Sequence, residues 1–169
     1  MSIWIRTFSP RPLGPLDPSA LEAGIRQRLP LLTALFCPDD EEDPDVVLSR
    51  LRITSQNADL LEIYYRADTK RFIRVERWSG DAAAEEVGEA LEDLEDEAGP
   101  GAEKVRGLLG QTVETVAFEL KLSDAQGMGW PLAIAAAAKL AEQCGGVVSA
   151  DDSGWMVPSG NEVDFLVQA

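Results

Sequence analysis

The segment from Leu132 to Ala141 reads Leu-Ala-Ile-Ala-Ala-Ala-Ala-Lys-Leu-Ala, and it decides much of what this chain can fold into. Pro131 opens a helix that runs to about Cys144, where Gly145-Gly146 caps it. A helix that is apolar almost all round has no face to give to water, so it is buried. Its alanines add little bulk, which lets the helix axis come close to a sheet.

The sheet is legible in the rest of the chain. Ile3–Phe8 alternates and carries Ile, Trp and Phe, as a strand does. Three further strands are predicted at Val46–Thr54, Leu60–Arg66 and Arg71–Trp78, joined by the short polar links Ser55–Asp59 and Ala67–Lys70. Short links make an antiparallel meander the economical arrangement. Leu61, Ile63 and Tyr65 share one face, with Glu62, Tyr64 and Arg66 on the other, so one side is covered and one is wetter. Val113–Leu122 sets Val116, Phe118, Leu120 and Leu122 against Ala117, Glu119 and Lys121. Val147–Ser149 and Trp155–Val157 read as a hairpin around a turn at Asp151–Gly154, and Glu162–Val167 as one more short strand.

The remaining helices are marked by their ends. Asp17 and Pro18 suit an N-cap and first position, and Leu21, Ile25 and Leu29 recur every four residues until Pro30 limits the helix. Residues 31–36 are apolar and fit either state. The acidic run 38–45 is a loop by composition. Asp81 begins an acidic helix that reaches about Ala98, with Val87, Leu91 and Leu94 as its apolar stripe and Gly99-Pro100 as its stop. A short helix, about Ala102 to Leu109, follows.

These elements predict an α+β fold: an antiparallel sheet with helices packed mainly on one face, in a single domain spanning 1–169. The pattern strand–helix–strand–strand occurs at both ends, so residues 1–78 and 110–158 are read as internal repeats joined by the acidic helical segment 81–109. A chain of 169 residues buries roughly 70% of its unfolded surface and needs no covalent staples. Cys37 and Cys144 lack metal-ligand spacing and are expected to be reduced and buried.

Charge limits function more than it limits fold. Thirty acidic residues face fifteen basic ones, the formal net charge is −15, and there is no histidine. The commonest general base near neutral pH and the commonest metal ligand are both missing. Histidine-dependent nucleophilic triads are excluded, and no Ser-x-x-Lys spacing replaces them. Carboxylate pairs of the kind used in glycoside hydrolysis are present in any acidic chain, so only geometry can promote one. Net negative charge disfavours nucleic-acid backbones and anionic lipid surfaces. No eighteen-residue apolar run or signal peptide is present, so a cytoplasmic protein is expected.

Half of the acid sits in two stretches without a base. Asp39, Asp40, Glu41, Glu42, Asp43 and Asp45 form one; Asp81, Glu85, Glu86, Glu89, Glu92, Asp93, Glu95, Asp96 and Glu97 form the other. The meander is the counterpart: from Arg50 to Arg77 it carries seven bases against four acids. Either the meander arginines neutralise the acidic helix, or that helix stays free as a surface for a cationic partner. Glu85–Glu89 and Glu92–Asp96 repel at i,i+4 spacing, a cost that a helix serving only the fold would avoid.

Three other features have mainly structural readings. Asp151-Asp152-Ser153-Gly154 suits a hairpin turn more than a cation site. Gly127-Met-Gly129 lacks the third glycine of a phosphate loop, and Trp130-Pro131 occupies the space a pyrophosphate would need. Glu119 stands in an apolar strand and either pairs with Lys121 or a cross-strand base, or lines a cleft as a buried carboxylate.

The segment "GMGWPLAIAAAAKLAEQCGGVVSADDSGW", Gly127–Trp155, resembles the helix-plus-hairpin ending of small acidic bacterial proteins, among them immunity proteins of polymorphic toxin systems. That resemblance implies a non-catalytic protein that neutralises a basic toxin by occluding it with an acidic surface. Asp81, Glu85, Glu86, Glu89, Glu92, Asp93, Glu95 and Asp96 would then bind the partner. The doubled strand–helix–strand–strand pattern also resembles the gyrase-inhibitor-like small-molecule-binding fold. It implies a cleft for a cationic or amphipathic ligand, with Glu119, Tyr64, Trp130 and Trp155 as the lining. Neither resemblance implies a metal or cofactor, and no oligomeric state follows from either.

Overall fold

The computed structural model describes residues 1–40, 42–68 and 70–169; Glu41 of the first acidic stretch lies outside them. In chain order the elements are β1 (Ser2–Ser9), α1 (Pro18–Phe36), α2 (Pro44–Arg50), β2 (Arg52–Asn57), β3 (Leu60–Tyr64) and β4 (Ile73–Ser79). There follow α3 (Gly80–Asp93), α4 (Pro100–Gly110), β5 (Glu114–Lys121), α5 (Leu122–Ala125), α6 (Gly129–Cys144), β6 (Val147–Ala150), β7 (Gly154–Ser159) and β8 (Glu162–Gln168). The fold is α+β. Its strands form one antiparallel eight-stranded sheet in the order β2-β3-β4-β5-β1-β6-β7-β8.

Strand alternation divides the sheet into two faces. Ile5, Phe118, Val75, Ile63, Val148 and Met156 point to one side, where the two long helices α1 and α6 cover them in the main core. Phe8, Val147 and Trp155 point to the other, where α3 and α4 cover them with Ala90, Leu94, Val105 and Leu109. This second layer stops short. Beyond it Arg52, Arg74 and Lys121 are exposed, and Tyr64 and Glu119 half-buried, on an open sheet surface.

α6 is buried as its composition requires: Leu132 to Ala138 are each 0% exposed. The small side chains let its backbone reach the strand beneath, where Thr7 Oγ1 donates to the Ala137 carbonyl at 2.9 Å. α1 crosses α6 with Gly24 against the Lys139 stem, leaving no room for a Cβ on Gly24. Gly145 ends α6 in the left-handed region at φ 72°, and its N–H donates to the Ala141 carbonyl. One buried charge sits at the same junction. Arg28 of α1 is 0% exposed; its Nη2 meets Glu142 Oε2 at 3.2 Å and donates to the Gly160 carbonyl at 3.2 Å, while Nε and Nη1 find no partner among the described residues. Desolvation raises the Glu142 carboxyl's pKa, but Arg28 and Lys139 outweigh it and hold the group below its usual range.

Where the chain departs from expectation, local preferences were overridden. α1 does not stop at Pro30 but continues to Phe36. Proline in a helix interior costs about 3 kcal/mol, and burying Leu32 (0% exposed) with Thr33 in the core offsets that loss. Val46–Thr54 is not one strand. Residues Pro44–Arg50 form α2, capped by Asp43, whose Oδ1 accepts from Asp45 N at 2.8 Å, and β2 starts only at Arg52. An Asp-Pro-Asp start outweighed the β-branched pair Val46-Val47. The acidic run 38–45 therefore ends in a helix, with Asp43 as the cap of α2 and Pro44 and Asp45 in its first turn. α3 ends at Asp93, short of Ala98, and its inward stripe is Ala83, Val87, Ala90 and Leu94, with Leu91 38% exposed. Cys144 is buried but Cys37 is only partly so; both are free thiols.

Each half of the chain runs strand, two helices, three-stranded meander, but the meanders enter the sheet in opposite senses. β2 is an outer edge with β4 beside β5, whereas β6 lies beside β1 with β8 at the other edge.

Ala136→Leu is expected to lower stability by about 1–3 kcal/mol, because the added bulk must separate α6 from the sheet or from α1. Urea denaturation checks this, and an unshifted midpoint would contradict the close packing described here.

Candidate functional site

α3 is positioned from below by apolar contact. Ala83 (2% exposed), Ala90 (6%) and Leu94 (1%) face the sheet, so the remaining faces of the helix carry its acid outward. Asp81, Glu85, Glu89, Glu92 and Asp93 are exposed, as are Glu95, Asp96 and Glu97 in the link that follows. Arg106 of α4 reaches back and donates from Nη2 to the Leu94 carbonyl at 2.7 Å and to the Glu97 carbonyl. That contact fixes the link through backbone oxygens and leaves the carboxylates unpaired.

Among the described residues, Glu86 alone of this segment enters a salt bridge. Its Oε2 accepts from Arg6 Nε of β1 at 2.6 Å. Arg6 also lies 3.4 Å from Asp151 Oδ1 and packs over the Trp4 ring, 5.6 Å from its centroid. Asp151 Oδ2 in turn accepts from the Trp4 backbone N–H at 2.9 Å. One guanidinium is thus shared between two carboxylates at the base of a groove. The groove runs between α3 and the β6–β7 turn and holds a cavity of about 130 Å³ walled by Glu86, Glu89, Asp93 and Asp151, with Trp155 below. It opens into a hollow of about 370 Å³ that adds Asp152.

The turn itself behaves as its residues require. Ser153 N donates to the Ala150 carbonyl at 3.0 Å, and Asp152 takes φ 61°, a conformation Asp tolerates better than most residues. Its two carboxylates extend the acidic surface of α3 across β6. Sequence reasoning placed neither Arg6 nor Asp151 and Asp152 in this site. They come from opposite ends of the chain, and only the β1–β6 pairing brings them together.

The meander arginines go elsewhere. Arg77 pairs with Asp59 at 2.5 Å and Glu114 at 3.8 Å, Arg66 with Asp124 at 2.6 Å, Arg50 with Glu42 at 3.6 Å and Arg74 with Glu76 at 3.5 Å. Asp124 is buried and also accepts from the Tyr65 hydroxyl at 2.6 Å; burial first, then that bond, push the Tyr65 pKa well up. No meander cation reaches residues 81–97 among the described residues.

The second set of sequence-derived residues does not converge. Glu119 and Tyr64 lie on the open sheet face, where Glu119 accepts from Ser2 Oγ at 2.6 Å and sits 3.8 Å from Lys121 Nζ. Trp130 is 8% exposed in the core on the opposite face. Trp155 is 7% exposed under α3 and α4, its ring 5.5 Å from that of Phe8. No group of three or more Cys, Asp or Glu side chains is arranged to hold a metal ion among the described residues. Nor is any described helix long and apolar enough to cross a membrane.

No protein-family model, curated protein or solved structure matches this chain.

The last turn of α3 is doubly unfavourable. It carries Glu92 and Asp93 with no base, and Glu89 lies one turn back on the same side, so like charges meet each other and the negative end of the helix dipole. The double substitution Glu92→Gln with Asp93→Asn is expected to raise stability by about 0.5–1 kcal/mol. Urea denaturation at low ionic strength reads it, and a loss of stability would show that these carboxylates serve the fold.

Proposed function

We propose that this chain is a non-catalytic binding protein of the immunity type, which neutralises a basic toxin by covering it with the acidic surface of α3, the 94–97 link and the β6–β7 turn. One observation carries this reading: the carboxylates of residues 81–97 face outward and, Glu86 apart, no cation of the described chain meets them. Beyond Asp81, which suits the first turn of α3, and Glu86, which pairs with Arg6, the fold gains nothing from that arrangement. Carboxylates that repel one another along a helix raise the free energy of the folded chain, and a basic partner removes the cost on binding.

The surface has the parts an interface of this kind uses. Asp81, Glu85, Glu89, Glu92, Asp93, Glu95 and Asp96 supply a field of one sign, which steers a cationic protein and lifts association toward about 10⁸–10⁹ M⁻¹s⁻¹ at low salt. The groove beside Glu89, Asp93 and Asp151 offers depth for an arginine or lysine side chain over Trp155. Cytoplasmic residence belongs to the same proposal, since a toxin is most safely met where it is made.

Charge reversal tests it. Glu85, Glu89, Glu92 and Glu95 are exposed, so their joint replacement by lysine is expected to leave the fold near intact by circular dichroism. Immobilised wild-type chain is expected to retain a basic protein from the source cells, with an on-rate that falls steeply with salt, and the reversed variant to lose it. Equal retention by both proteins would refute the acidic-surface reading.

A further inference from the structure

We infer a second, separate site on the open sheet face: a pocket for a small organic anion in which a planar ring carries a phosphate or carboxylate. The pocket encloses about 230 Å³ and is lined by Lys70, Arg71, Phe72, Arg74, Glu119 and Lys121. In a chain with twice as many acids as bases, four cations and one carboxylate converge there.

These cations are weakly used inside the molecule. Lys121 stands 3.8 Å from Glu119, and Arg74 meets Glu76 at 3.5 Å with half its side chain exposed. Arg71 donates from Nη1 to the neutral Ser123 hydroxyl at 2.8 Å. Among the described residues, neither Arg71 nor Lys70 forms a salt bridge. A merely solvated basic patch would need no aromatic floor, yet Phe72 is 37% exposed between Arg71 and Arg74. Its ring is backed by Tyr64 at 5.4 Å, and Arg52 stacks on Tyr64 at 4.7 Å. Phe72 is therefore an exposed aromatic platform steadied by a tilted contact with Tyr64, in a pocket lined by guanidinium and ammonium groups. A planar ring stacks on such a platform, and its anionic group reaches the cations around it. Glu119 uses Oε1 for Ser2 and Lys121, which leaves Oε2 to accept from a ring amino or hydroxyl group.

Size and field together select a small ligand. Screening limits charge effects to about 8 Å at physiological ionic strength, so an ion inside the pocket responds mainly to the lining cations. A long polyanion would run past Glu62 and Glu76 onto a molecule of net charge −15.

Calorimetric titration tests the site with adenosine 5′-monophosphate and 4-aminobenzoate as phosphate and carboxylate arms, and with adenosine and inorganic phosphate as controls. At least one ring-bearing anion is expected to bind with a dissociation constant of about 1 mM or tighter, and both controls at least about tenfold more weakly. Phe72→Ala and Arg71→Ala alter exposed side chains and are each expected to weaken binding about tenfold, with unchanged circular dichroism. No binding of either ring-bearing anion overturns the inference. So does binding that both variants leave intact, or inorganic phosphate that binds as well as the nucleotide. A wild-type dimer abolished by Arg71→Ala would assign the pocket to the acidic helix of a second copy and would also overturn it.

Discussion

Everything in this molecule is arranged around the close seat of α6 on the sheet. Its alanines remove the side-chain layer that usually separates helix from strand, and the Thr7 hydroxyl bonds directly to the Ala137 carbonyl. Burial on that scale is the dominant favourable term available to a chain of this size. α1 crosses at Gly24, and the Arg28–Glu142 pair ties the same helices to the β7–β8 turn through Gly160. With one face so secured, the other is free to be only half covered. α3 and α4 rest on Phe8, Val147 and Trp155 through a second small core, and the remaining sheet surface stays open.

That division explains how an acidic chain tolerates its own charge. Among the described residues Asp124 is the only buried carboxylate, and it has Arg66 and Tyr65 as partners. The other described carboxylates are exposed or half-buried, where water and salt reach and screen them. Even so, the last turn of α3 sets acid against acid and against the helix dipole. A scaffold stabilised by α6 carries this penalty without unfolding. The outcome is a polar molecule: α3 and the Asp151-Asp152 turn carry the negative pole, and the β3–β4–β5 face carries a positive enclave.

Much of this was readable from residue order. Alternation in Leu61, Ile63 and Tyr65, and in Val116, Phe118 and Leu120, assigned the covered face of the sheet correctly, because period-two burial is a local property. Leu122, read with the latter set, instead lies past β5 in α5 and is 42% exposed. The buried character of α6 and the Asp151–Gly154 turn were equally local. Errors arose where tertiary packing outweighed a local signal. Pro30 does not end α1, since Leu32 is worth more inside than the lost hydrogen bond. Val46-Val47 suggested a strand, but the Asp43 cap and Pro44 made a helix. Leu91 looked inward by spacing, yet Ala90 is the residue that fits beneath. The acidic helix was visible as a run of charge. Its groove was not, because Arg6 and Asp151 join it only through strands far apart in sequence. The Phe72 platform was also hidden, since its tilted contact with Tyr64 depends on how β3 and β4 are paired.

We propose that this chain acts by presenting negative potential from α3 and the β6–β7 turn to a basic protein. Hydrogen–deuterium exchange of the chain, alone and with its captured basic partner, tests that most directly. Slowed exchange confined to residues 81–97 and 149–155 is the expected result. Protection centred on α1 or the β2 edge, with 81–97 exchanging as in the free chain, would contradict it.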